Sequence, residues 1–192
     1  MIDFMENILK IKSNKAFRAW LSKNYDKATE CYVLVKRGRP DDDKTFWYID
    51  AVETALCFGW IDSTVRDIGG LKYQRFGPRK KNSLWTEQNK ERVRRLEKLG
   101  LMTDAGRKVL PDMRINNFKL DDDIKTALKK AGALEIFNAF PDLYKRVRIY
   151  NLVFYKKLDK EKYNKALTHF IEETSKGKMY GMWNDYGRLI DY

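Results

Sequence analysis

The sequence predicts an α+β fold: a small antiparallel sheet with packed helices over residues 1–118, followed by an all-helical region over residues 119–192. Three observations carry this expectation. Short apolar runs of strand character, Cys31–Lys36, Trp60–Arg66 and Leu71–Phe76, all fall in the first part. From Asp121 onward apolar residues recur at helical spacing almost without interruption. Between the two, Pro111 to Asp123 holds a proline, the Asn116–Asn117 pair and an acidic triplet, the composition of a boundary. The regions are either two domains or two halves packed as one unit.

The elements follow in order. Ser13 stands where an N-cap belongs, ahead of Phe17, Trp20 and Leu21 at three- and four-residue spacing, which predicts an amphipathic helix. The strand at Cys31–Lys36 ends in the polar turn Arg-Gly-Arg-Pro-Asp-Asp-Asp. A second helix runs from Phe46 to Phe58, with Gly59 as its C-cap glycine. Trp60–Arg66 and Leu71–Phe76 pair antiparallel across a loop containing Gly69 and Gly70. Ser83 caps a helix reaching Leu99, with Trp85, Val93, Leu96 and Leu99 as its apolar stripe and Glu91 placed to pair with Arg95 one turn on. A short helix follows Thr103, and then helices over 121–131, 134–139, 141–157 and 159–175. The last residues, from Met179, are too aromatic for a free tail and are expected to pack on the body or on a partner.

Composition narrows the classes. The 192 residues suffice for a core without staples, and 43% hydrophobic with 14% aromatic content excludes a disordered chain. Two cysteines, Cys31 and Cys57, each inside an apolar run, read as buried reduced thiols. The amino-terminal residues lack the basic flank and apolar stretch of a signal peptide, and no segment approaches the ~20 apolar residues of a membrane span, so a cytoplasmic location is expected. The net charge is +12. Between Arg66 and Arg114 there are 14 basic and 6 acidic residues, an excess that points to an anionic partner.

Ala55-Leu-Cys-Phe-Gly-Trp-Ile-Asp-Ser63, then Tyr73-Gln-Arg-Phe-Gly-Pro-Arg-Lys-Lys-Asn-Ser-Leu-Trp85 and Asn89 to Gly100, resemble the N-terminal signature of the YdeI/OmpD-associated proteins. The likeness runs from about Phe17 to Phe118, and a weaker one from Asp121 to Lys178 retains Tyr144-Lys-Arg146 and Gly177-Lys178 but departs at Ile149–Tyr155. The resemblance implies a binding or regulatory role in bacteriocin protection or stress, with no reaction attached to it.

The residues themselves gather Trp60, Asp62, Arg75, Arg79, Lys80, Lys81, Ser83 and Trp85 around strand ends and a helix start, the materials of an anion pocket. Planar arginine forks suit phosphate or carboxylate, Asp62 is placed to hold one of them, and a tryptophan offers a stacking face. A small anionic ligand or a protein partner is the first expectation. One alternative is an enzyme on a phosphorylated or carboxylated small molecule, with Asp62 as its general base; the other is a nucleic-acid binder using the basic 66–114 segment, a reading weakened by Glu87, Glu91 and Glu97 in the same helix. No cofactor or metal site is expected. His169 is the one histidine, read as a helix-packing residue, and Asp41–Asp43 and Asp121–Asp123 lack the spacing of a calcium loop.

Overall fold

The computed structural model describes residues 7–115 and 118–192, so the Asn116–Asn117 pair lies outside the described residues. The fold is α+β. Two compact units divide the chain: residues 1–84 with 92–112, and residues 85–91 with 113–192.

The first unit contains four strands, β1 (Ile8–Leu9), β2 (Cys31–Leu34), β3 (Trp60–Ile68) and β4 (Leu71–Pro78), in the spatial order β1-β2-β4-β3. β2, β4 and β3 pair antiparallel, while β1 adds to β2 in parallel, so the sheet is mixed. A two-residue strand carries too little pattern to be read from sequence, which is why β1 was not expected. Residues directly opposite in an antiparallel ladder share a face. The pairs Cys31↔Phe76, Val33↔Gln74 and Asp62↔Phe76 therefore define one face, and Tyr32↔Arg75 and Arg66↔Tyr73 the other. Helix α1 (Asn14–Asn24) covers the first of these faces, its Phe17 ring 5.3 Å from that of Phe76. Ser13 caps α1, its hydroxyl accepting from the Ala16 amide. Helix α2 (Tyr48–Cys57) is buried over most of its length and ends before Gly59, whose φ of +74° only glycine adopts without strain. Between Asp62 and Val65 the β3–β4 register slips, and β3 bulges there.

Helix α3 (Glu87–Lys98) begins in the second unit and ends in the first. It starts three residues later than expected, because Thr86 rather than Ser83 accepts the amide of Asn89. Val93 and Leu96 are buried, whereas Leu99 is exposed beyond the helix end. Helix α4 (Asp104–Arg107) docks on the end of α2: the Thr103 hydroxyl donates to the Cys57 carbonyl at 2.6 Å. A Cβ on Gly106 would clash with that same carbonyl oxygen, a backbone atom with no rotamer to give. Gly106→Ala is expected to cost about 1–3 kcal/mol as an overpacked site, readable as a lowered urea midpoint; an unchanged midpoint would mean that α4 shifts freely.

The second unit contains α5 (Asp122–Lys130), α6 (Leu134–Ala139), α7 (Asp142–Leu158) and α8 (Lys160–Ser175). Asp121 caps α5 and Asp159 caps α8 through their carboxylates. Ile124, Leu128, Phe137, Ile149, Leu152 and Phe170 form one apolar core. The aromatic tail packs back as expected: Trp183 and Leu189 join Leu143, Tyr144 and Val147 of α7 in a second cluster. Among the described residues no helix is long and apolar enough to cross a membrane, and no three His, Cys, Asp or Glu side chains converge as metal ligands. Cys31 and Cys57 are buried free thiols, Cys31 pushed up to about 12 by burial.

Candidate functional site

The residues expected to share an anion pocket are divided among separate surroundings. Trp60 is 1% exposed; its indole N–H donates to the Tyr25 carbonyl at 3.0 Å and its ring meets Trp20 edge-on, so it is a core residue. Asp62 and Arg75 lie on opposite faces of the sheet, because each follows the alternation of its own strand. Arg75 is held by Glu30 at 2.6 Å and by the Ser63 hydroxyl at 3.0 Å, and not by Asp62. Arg79 is buried and donates to Ser83 Oγ and to the Leu84 carbonyl, which turns its fork inward. Lys80 and Lys81 are exposed loop residues. Trp85 is buried and belongs to the second unit.

Asp62 enters a different network. Its Oδ2 accepts the Tyr48 hydroxyl at 2.5 Å, and burial together with the Asp62 carboxylate raises that phenol above its ordinary range, which keeps it a donor. Arg37 stacks on the Tyr48 ring at 4.0 Å and donates to Gln74 Oε1. Gln74, 1% exposed, in turn donates to the Ser63 and Thr64 carbonyls freed by the bulge. These bonds satisfy backbone groups that the slipped ladder leaves over.

A concave site lies elsewhere, in the second unit. A cleft of about 180 Å³ opens between α7, α8 and the tail, lined by Arg148, Asn151, Leu152, Tyr155, Ala166, His169 and Tyr180. Spacing builds it from the sequence upward. Arg148, Asn151, Leu152 and Tyr155 recur at three and four residues along one face of α7, as do Ala166 and His169 on α8, so the cleft is the groove between two antiparallel helices. The tail closes one end with Tyr180, whose ring centroid is 4.6 Å from that of His169.

Arg148 is the dominant charge in this groove. Its guanidinium lies 4.7 Å from the Tyr180 ring centroid and 5.6 Å from that of Tyr144. Its Nε is buried and has no hydrogen-bond partner, and among the described residues no carboxylate pairs with it. The side-chain amide of Asn151 and the imidazole of His169 likewise engage no protein hydrogen-bond partner among the described residues. Burial raises the Tyr180 phenol, against the opposing pull of Arg148. The tail approaches Arg148 so closely that a Cβ on Gly181, whose φ is +73°, would stand 2.8 Å from Nη2. Sequence reasoning missed the cleft because a single arginine within Tyr-Lys-Arg-Val-Arg looks like a solvated helical charge, and because His169, exposed at the groove mouth, was expected to pack between helices.

A family model for a domain of unknown function, DUF8412, matches residues 9–109. No curated protein and no solved structure matches the chain. The resemblance to YdeI/OmpD-associated proteins is therefore set aside: the segments that carried it up to Gly100 lie inside the residues matched by a different family. Their content has a structural origin, since Gly59 ends α2 with positive φ and Trp60 fills the core. With more than half of its 192 residues matched, the chain belongs to the DUF8412 family.

Proposed function

We propose that this protein binds a small anionic ligand in the second-unit cleft. The supporting observation is Arg148: a half-buried guanidinium, flanked by two tyrosine rings, without a carboxylate counter-ion. Cation–π contacts recover only about 0.5–2 kcal/mol, much less than the cost of desolvating a charge. An anion at the fork would supply the missing partner with charge-assisted hydrogen bonds. The cleft volume, below the ~300 Å³ at which drug-sized pockets begin, favours a ligand smaller than a nucleotide.

The nucleic-acid alternative draws less support. Several arginines of the basic segment are engaged by acids of their own unit: Arg75 by Glu30, Arg95 by Glu53, and Arg107 by Glu97 and Asp104. Each such pair reduces the positive surface that phosphates would meet.

The test is calorimetric titration with inorganic phosphate, acetate and benzoate at low and moderate salt, repeated on Arg148→Met. At least one of these anions is expected to bind with modest salt dependence, and affinity should fall about 10- to 100-fold in the variant, the equivalent of a lost charged hydrogen-bond pair. Equal binding by both proteins would overturn the assignment of Arg148.

A further inference from the structure

The cleft that holds Arg148 also says what the rest of the ligand must be. Among the described residues, Arg148 is the one lysine or arginine in its lining. A single guanidinium matches a single carboxylate in charge and in fork geometry, whereas a phosphate dianion would retain about one uncompensated charge in a partly desolvated groove. The remaining walls are not those of an inorganic-anion site: Leu152 and Ala166 are aliphatic, and Tyr155 and Tyr180 present aromatic rings. A bare anion would leave these walls unused, while a flat apolar body would bury them. Asn151 and His169 complete the lining with polar groups that have no protein hydrogen-bond partner among the described residues, suited to a hydroxyl or carbonyl substituent away from the carboxylate.

We infer that the ligand is a small aromatic carboxylate bearing one hydrogen-bonding substituent, its carboxylate on Arg148, its ring against Leu152, Ala166, Tyr155 and Tyr180, and its substituent facing Asn151 or His169. This rests on the reading of the cleft as an anion site and adds the body of the ligand to it.

Titrations of the full chain with 4-hydroxybenzoate, benzoate, acetate and inorganic phosphate separate the two claims. The expected order of affinity is 4-hydroxybenzoate above benzoate, with benzoate at least about tenfold above acetate from the buried ring. Ala166→Leu narrows the apolar wall opposite the fork, and is expected to weaken both aromatic ligands by a larger factor than acetate. Asn151→Ala should remove the advantage of 4-hydroxybenzoate over benzoate; if His169→Ala does so instead, the substituent faces His169. If phosphate or acetate binds through Arg148 as well as or better than benzoate, the aromatic assignment fails and the anion site stands. If none of the four binds, both fall. Thermal melts of each variant establish that it is folded, so that a lost affinity is a lost contact.

Discussion

Trp60→Ala is expected to destabilise the first unit by about 3–5 kcal/mol, the range for a fully buried aromatic truncated to a methyl group. The side chain is 1% exposed and does two things at once. Its ring packs edge-on against Trp20 of α1 at 5.8 Å, and its N–H, at 3.0 Å from the Tyr25 carbonyl, satisfies a backbone acceptor just beyond that helix. Truncation leaves a cavity and an unpaired carbonyl together. Trp60→Phe separates the two effects: it keeps most of the apolar volume and removes only the donor, so a loss of about 1–2 kcal/mol is expected. Urea titrations followed by far-ultraviolet circular dichroism measure both. A loss below about 1 kcal/mol for the alanine variant would mean that the indole contributes little to folding, and would return Trp60 to the ligand-binding role its position in the sequence first invited.

What the sequence made legible, and what it concealed, divides along a physical line. Local rules held where the chain needed only its neighbours. Ser13, Thr103, Asp121 and Asp159 all cap helices, and Gly59 and Gly100 stand at positive φ just past helix ends. The β3–β4 hairpin and the helices of the second unit were likewise visible from apolar spacing and turn residues. Apart from Ser83, whose capping place is taken by Thr86, the failures are choices among long-range partners. Glu91 and Arg95 have the spacing of an intrahelical pair, yet Arg95 turns to Glu53 of α2, 42 residues away, and Glu91 to Arg146 of α7, 55 residues away. Which charges pair depends on which helices pack together, and periodicity within one helix cannot rank such partners. The separation of the residues grouped by sequence has the same origin. Arg75 and Asp62 are near in sequence terms, but strand alternation sends them to opposite faces, while Arg148 and His169 meet only because two helices pack antiparallel.

The second large effect is expected at Arg146. This guanidinium is 4% exposed and joins two carboxylates one helical turn apart on α3, Glu87 at 3.1 Å and Glu91 at 2.8 Å. The Tyr192 hydroxyl donates to the other oxygen of Glu91 at 2.8 Å. Arg146→Ala removes a cation that both carboxylates share and reduces the charge compensating two mostly buried acids one turn apart, Lys90 still pairing with Glu87 at 2.9 Å, so a loss of about 3–5 kcal/mol is expected. The charge argument is separable from packing. In the triple variant Arg146→Met, Glu87→Leu, Glu91→Leu both carboxylates go together with the cation they share, while Lys90, the other partner of Glu87, keeps access to water, and an apolar replacement of a buried ion network is often neutral or stabilising. Most of the loss should then return, measured as the urea midpoint of the second unit. A triple variant as unstable as Arg146→Ala would show that the geometry of the network, and not relief of two buried anions, is what holds α7 against the start of α3. Tyr192→Phe gives the smaller third reading, about 1 kcal/mol for one hydrogen bond to a charged acceptor that water can partly replace.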